Sequence, residues 1–145
     1  MLAHQPATTA PRLNISTLEG AIIATLAILA FVYFGGAEAL GAHPRWGMKI
    51  AYLAIASGLL MAFLAALAGQ RWQLQLITFS TLLVISIAIT TYGKIQFAAS
   101  YAEDDFAGKL WFFGWIGALA ASFSIITAVG ANYRQRNKAI SAPAI

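Results

Sequence analysis

Five carboxylates, nine Lys or Arg residues, two histidines and no cysteine make up the acid–base and metal-ligating repertoire of these 145 residues. The missing thiol removes disulfides, thiolate metal sites, iron–sulfur ligation and thiol catalysis together. His4 falls in a polar tail, and His43, beside Pro44, reads as a solvated turn residue. Haem held by two histidines needs imidazoles aimed inward from within helices, so that chemistry is not expected. A Ser–His–Asp arrangement or a zinc site fails for the same shortage of partners. No cofactor is expected through Cys or His. Contact with lipid, a quinone or an apolar pigment would need neither.

The carboxylates offer two places to look. Glu103-Asp104-Asp105 presents several hard oxygens, as a divalent cation requires. Three consecutive residues rarely converge on one ion, however, and the simpler reading is a solvated loop that caps the next helix. Docking onto a basic partner surface is the functional form of that reading. Glu38 has the means to bind a cation or pair with Arg45 or Lys49, but it follows Gly35-Gly36 and reads as an interfacial carboxylate.

Hydroxyls supply a third pattern. Thr78, Leu82, Ser86, Thr90 and Lys94 recur every fourth residue and so share one helix face. Such a row lines a polar pathway or, more plainly, bonds to its own helix and to neighbouring ones.

These residues must be positioned by an unusually apolar chain. Hydrophobic residues make up 60% and charged residues 10%, with mean hydropathy +0.74. Soluble domains average about 45–50% and about 25%, so a soluble globular fold is excluded. Four apolar runs, at 18–40, 46–68, 72–93 and 110–131, each have about the 20 residues that span a bilayer as a helix. Short connections make successive helices antiparallel, giving an up-down-up-down bundle of four transmembrane helices over residues 17–131. Residues 1–16 read as a flexible polar tail and 132–145 as a basic one. Ser16-Thr17-Leu18-Glu19 matches a capping box at the first helix start. Segment 95–109 reads either as an extension of the third span or as an interfacial helix.

Small residues line one side of two spans. Ala54, Gly58 and Ala62 do so in the second, opposite Tyr52, Leu59 and Phe63. Gly117, Ala121 and Ser124 do so in the fourth, opposite Trp115, Leu119 and Phe123. Small faces let backbones approach closely where lipid supplies no hydrophobic drive. No ionisable residue falls near the middle of any span, which argues against a proton-coupled pump.

Two resemblances fail on the residues. Compact four-helix multidrug exporters carry a carboxylate deep in the first helix, whereas Glu38 lies at its end. Phe79-Ser80-Thr81 looks like a stretch of the small four-helix fluoride channels, but their early glycine-rich motif and mid-membrane asparagine have no counterpart. No family is recognised.

The expected role is a small non-catalytic subunit of a hetero-oligomeric membrane complex, packing against partner helices and lipid. The alternative is a homo-oligomeric channel or transporter for a small solute. The aromatics have no basic groove beside them, so nucleic acid is not an expected partner. The positive charge, net +4, fits flanks of a bacterial inner membrane. Arg12, Arg71, Arg134, Arg136 and Lys138 fall on one side, against Arg45, Lys49, Lys94 and Lys109 on the other. The C-terminal cluster places both termini in the cytoplasm. Because the chain lacks cysteine, the test is direct. Single cysteines at Ser141 and Ala102 should react with an impermeant thiol reagent from opposite sides, Ala102→Cys in intact cells and Ser141→Cys only after lysis.

Overall fold

The structure, a computed structural model, describes residues 15–141; most of the expected N-terminal tail, His4 included, lies outside the described residues. Its helices are α1 (Ile15–Tyr33), α2 (Gly36–Ala39), α3 (Gly47–Leu67), α4 (Trp72–Ala99) and α5 (Asp105–Ser141). Four of them are long and apolar enough to cross a membrane.

Glycine ends the first two long helices. Gly35, at φ 77°, leaves α1 through a left-handed residue, and only the single turn α2 follows. The first span is therefore shorter than 18–40. Gly69, at φ 61°, closes α3: its N–H reaches Ala66 O at 3.0 Å and Gln70 N–H reaches Ala65 O at 3.1 Å. That pair of bonds is a Schellman motif, and it satisfies carbonyls the helix end would otherwise leave open.

Of the two readings of segment 95–109, the structure shows extension of the third span as far as Ala99, past the 72–93 bounds, so Gly93-Lys94 does not close α4. A Cβ on Gly93 would lie 2.5 Å from Trp111 N and 2.7 Å from Ala107 O, so this glycine serves interhelical contact within a continuous α4. Segment 95–109 thus belongs to two helices, with a turn at 100–104 between them. Asp104 starts α5 five residues earlier than expected, its Oδ1 accepting Ala107 N–H at 2.9 Å. At the other end α5 runs on through the basic segment to Ser141, where cationic side chains suit a helix C-terminus. Its 37 residues extend about 55 Å, well beyond the hydrocarbon thickness of roughly 30 Å.

The capping box at α1 is not formed. Ser16 lies inside the helix, with its hydroxyl buried and unpartnered. Glu19 turns instead to Arg134 near the end of α5, 3.1 Å away but too poorly aligned for a hydrogen bond.

Contacts between the helices fix their directions. Gly20 on α1 meets Thr127 and Gly130, whereas Trp111 Nε1 donates to Gly41 O beyond the other end of that helix. Gly93, Thr90 and Ser86 on α4 meet Trp111, Gly114 and Gly117 in reverse order. Trp46, which precedes α3, and Gly58 within it meet Trp111 and Phe123 in the same order. So α1 and α4 run antiparallel to α5, and α3 runs parallel to it. The arrangement around α5 is uneven. It packs against α4, α1 and α3, yet α1 touches α3 only slightly and α3 barely touches α4 despite their tight connection. Buried residues make up 61% of the apolar stretch of α5 but 11% of that of α4.

The turn between α4 and α5 carries a local cost. Tyr101 and Ala102 are both left-handed, at φ 56° and 69°, and both are exposed. A left-handed residue with a Cβ costs about 1–2 kcal/mol, which outweighs the roughly 0.5–1 kcal/mol of chain entropy that glycine adds. Ala102→Gly should therefore raise the thermal midpoint by a few degrees in a detergent melting assay.

Candidate functional site

The small-residue positions gather on α5. Ala54 and Ala121 are fully buried. Gly58 faces the Phe123 ring, where a Cβ would lie 2.7 Å from the ring edge. Its carbonyl accepts Ser124 Oγ at 3.3 Å, a hydroxyl that also donates to Ala120 O at 3.0 Å. Ala62 is half-buried between α1, α3 and α5. Gly117 lies against Ser86, leaving 2.6 Å between a built Cβ and that hydroxyl.

On this helix the division into a small and a bulky face does not divide covered from uncovered residues: Trp115, Leu119 and Phe123, opposite the small residues, are buried as well. With helices packed around α5 on three sides, both faces turn inward. On α3 the division holds, and Tyr52, Leu59 and Phe63 are exposed.

The hydroxyl row of α4 divides by position. Thr90 is buried and its Oγ1 donates to Trp111 O at 2.8 Å, across to α5. Ser86 opposes Gly117, and Thr78 is half-buried. Of the carboxylates, Glu38 and Glu103 are exposed, Asp104 caps α5 and Asp105 pairs with Lys109 one turn on. They do not converge: among the described residues no group of three or more His, Asp or Glu is placed to hold a metal ion.

Sequence reasoning missed two features near the start of α5. The first is an aromatic cluster, in which Trp111 lies 4.7 Å from Trp46, 5.9 Å from Phe97 and 5.8 Å from His43, centroid to centroid. His43 is half-buried there, and its Nδ1 accepts Arg45 N–H at 3.1 Å. The solvated turn residue expected from its neighbour Pro44 is thus a packed one. Trp111 pins the loop to α5 by donating to Gly41 O at 3.1 Å. Four tryptophans near helix ends were visible in the chain, but nothing local paired Trp111 with residues 41–46.

The second feature is a groove. Because α1 and α4 do not pack together, the surface of α5 between them stays open. An apolar trough of about 590 Å³ runs there, floored by Trp115, Leu119 and Ile126 and walled by Phe31 of α1 and Ile87 of α4. At its Trp111 end it meets a smaller cavity of about 330 Å³ that includes Lys94, Thr91 and Gly41. Lys94 forms no ion pair among the described residues. Nothing here resembles a reacting pair of nucleophile and base; the chemistry on offer is apolar contact with one cation at the end.

Comparison of the chain with protein-family models, with curated proteins and with solved structures found no match.

The groove keeps its shape only while α4 stays close to α5. At Gly114 a Cβ would lie 2.7 Å from Thr90 N and 2.8 Å from Thr90 Cα, both backbone atoms that cannot swing aside. Gly114→Ala should separate α4 from α5 and destabilise the fold by about 1–3 kcal/mol. Ala88→Leu, on an exposed position of α4, should leave the melting temperature in the same detergent nearly unchanged.

Proposed function

We propose that the chain is an integral membrane protein acting as a non-catalytic accessory subunit of a larger membrane assembly. The observation that carries this reading is α4. It is 28 residues long, and Ile77, Val84 and Ile95 are among its many exposed apolar side chains. Among the described residues only α5 covers it appreciably. Contiguous apolar surface on that scale is not kept in water, and it marks contact with lipid or protein. A long apolar helix held on one side is suited to bridge this bundle to another protein in the bilayer.

The charge distribution supports a cytoplasmic placement of the α5 C-terminus. Arg71, Arg134 and Arg136 lie at the end of the bundle where α1 starts and α5 finishes, and no acid triplet faces them there. In a bacterial inner membrane that end would stay inside.

Extraction in mild detergent followed by mass analysis of the intact particle tests the role. The expected particle holds other polypeptides beside the 15.4 kDa chain. Paired changes on the outer face of α4, Ile77→Ala with Val84→Ala, should strip those polypeptides while leaving the melting temperature within a few degrees. A particle of this chain alone, together with solute flux from liposomes that bulky changes at Ser86 abolish, would establish a homo-oligomeric channel instead.

A further inference from the structure

The groove between α1 and α4 joins two chemically different halves, and their dimensions describe a ligand. Trp115 and Ile126, both in the apolar trough, are separated by about 17 Å along α5 at 1.5 Å per residue. That length is close to half of the roughly 30 Å hydrocarbon core, the depth of one leaflet. The smaller cavity shares Leu40, Thr90, Thr91 and Trp115 with the trough, so a single molecule can occupy both. Among the described residues no carboxylate lines either half.

Lys94 sits where a headgroup would be. It lies level with Trp111 on α5, beside the aromatic cluster, and tryptophan favours the headgroup zone. Its Nζ rests against Gly41, where a Cβ would lie 2.6 Å away. Gly41 is also at φ 104°, a conformation side chains rarely adopt, so glycine there both turns the chain and leaves room for the ammonium. The charge has no carboxylate partner among the described residues. A free phosphate would make no use of the apolar trough, and a neutral hydrocarbon would make no use of the cation.

We propose that this groove binds one anionic phospholipid, with its phosphate on Lys94 and Thr91 and an acyl chain in the trough over α5. The open side between α1 and α4 admits the lipid laterally. The proposal rests on the chain lying in a membrane and not on its role as an accessory subunit.

Native mass spectrometry of the full-length chain, titrated with phosphatidylglycerol or phosphatidylcholine, tests it. One phosphatidylglycerol should be retained at about tenfold lower concentration than phosphatidylcholine. Lys94→Gln should remove that preference, whereas Arg45→Gln, which deletes a charge at the same end outside the groove, should preserve it. Ile87→Trp should fill the trough and weaken both lipids by about tenfold. Leu83→Trp does the same from the neighbouring turn and serves if Ile87→Trp loses helix content by circular dichroism. Equal retention of the two lipids, an unchanged preference in Lys94→Gln, or indifference to either tryptophan would overturn the proposal. So would displacement of the lipid by inorganic phosphate or by a fatty acid at equal concentration. Recovery of the chain in carbonate-washed membranes is scored on the same cells. Its absence would overturn the membrane reading itself, while lipid indifference in a membrane-bound chain overturns only the groove.

Discussion

Helices apolar on every side have no single hydrophobic face to choose, so their arrangement depends on how closely their backbones can approach. In this protein that approach takes place around α5. Gly20 of α1, Gly58 of α3 and Gly93 of α4 each meet α5 at distances a Cβ would violate, and α5 answers with Gly114, Gly117 and Gly130. Hydroxyl bonds across the same seams, from Thr90 to Trp111 O and from Ser124 to Gly58 O, fix the register. Direct contact among the other three helices is slight. Remove the close contacts with α5 and little holds α1, α3 and α4 together.

The groove follows from that geometry. Three helices around a fourth leave gaps wherever two neighbours fail to meet, and α1 and α4 fail to meet. The gap is apolar along its length because it is floored by α5, whose bulky residues Trp115 and Leu119 lie within the bundle. It is polar at one end because α4 continues past Gly93 and carries Lys94 up to the Gly41 loop. The tryptophan that ties this loop to α5 is thus also a structural part of the groove's charged end.

The number of long helices and their alternating directions were legible in the sequence, because runs of about 20 apolar residues and short connections leave few alternatives. The small face of α3 was legible for a similar reason: one side of that helix is covered and the other is not. The same pattern was less informative on α5. Periodicity records which residues are small and which are bulky, but a bulky apolar residue looks alike whether lipid or protein covers it, so the burial of Leu119 and Phe123 could not be read from it. Helix ends were misread where glycine plays two parts. Gly35 and Gly69 end helices through positive φ, whereas Gly93 sits inside one and admits a neighbour's backbone. The pairing of Trp111 with Gly41 spans 70 positions, beyond the reach of any local pattern. Lys94 was visible as a charge at a helix end, but the cavity around it exists only after α1, α4 and α5 have come together.

The place of α5 in the chain has a bearing on biosynthesis. The helix on which the others converge follows them in the chain, so it leaves the ribosome after them. By the time Asp105 is polymerised, α1, α3 and α4 are complete, with little beyond the small α1–α3 contact among them. At roughly 5–20 residues per second, the 37 residues of α5 take about 2–7 s more to make. During that interval the glycine faces of three finished helices are open to any other helix in the vicinity. A nascent chain truncated before α5 would display all of them at once, so quality control that recognises unpaired helices has a clear signal for an incomplete product.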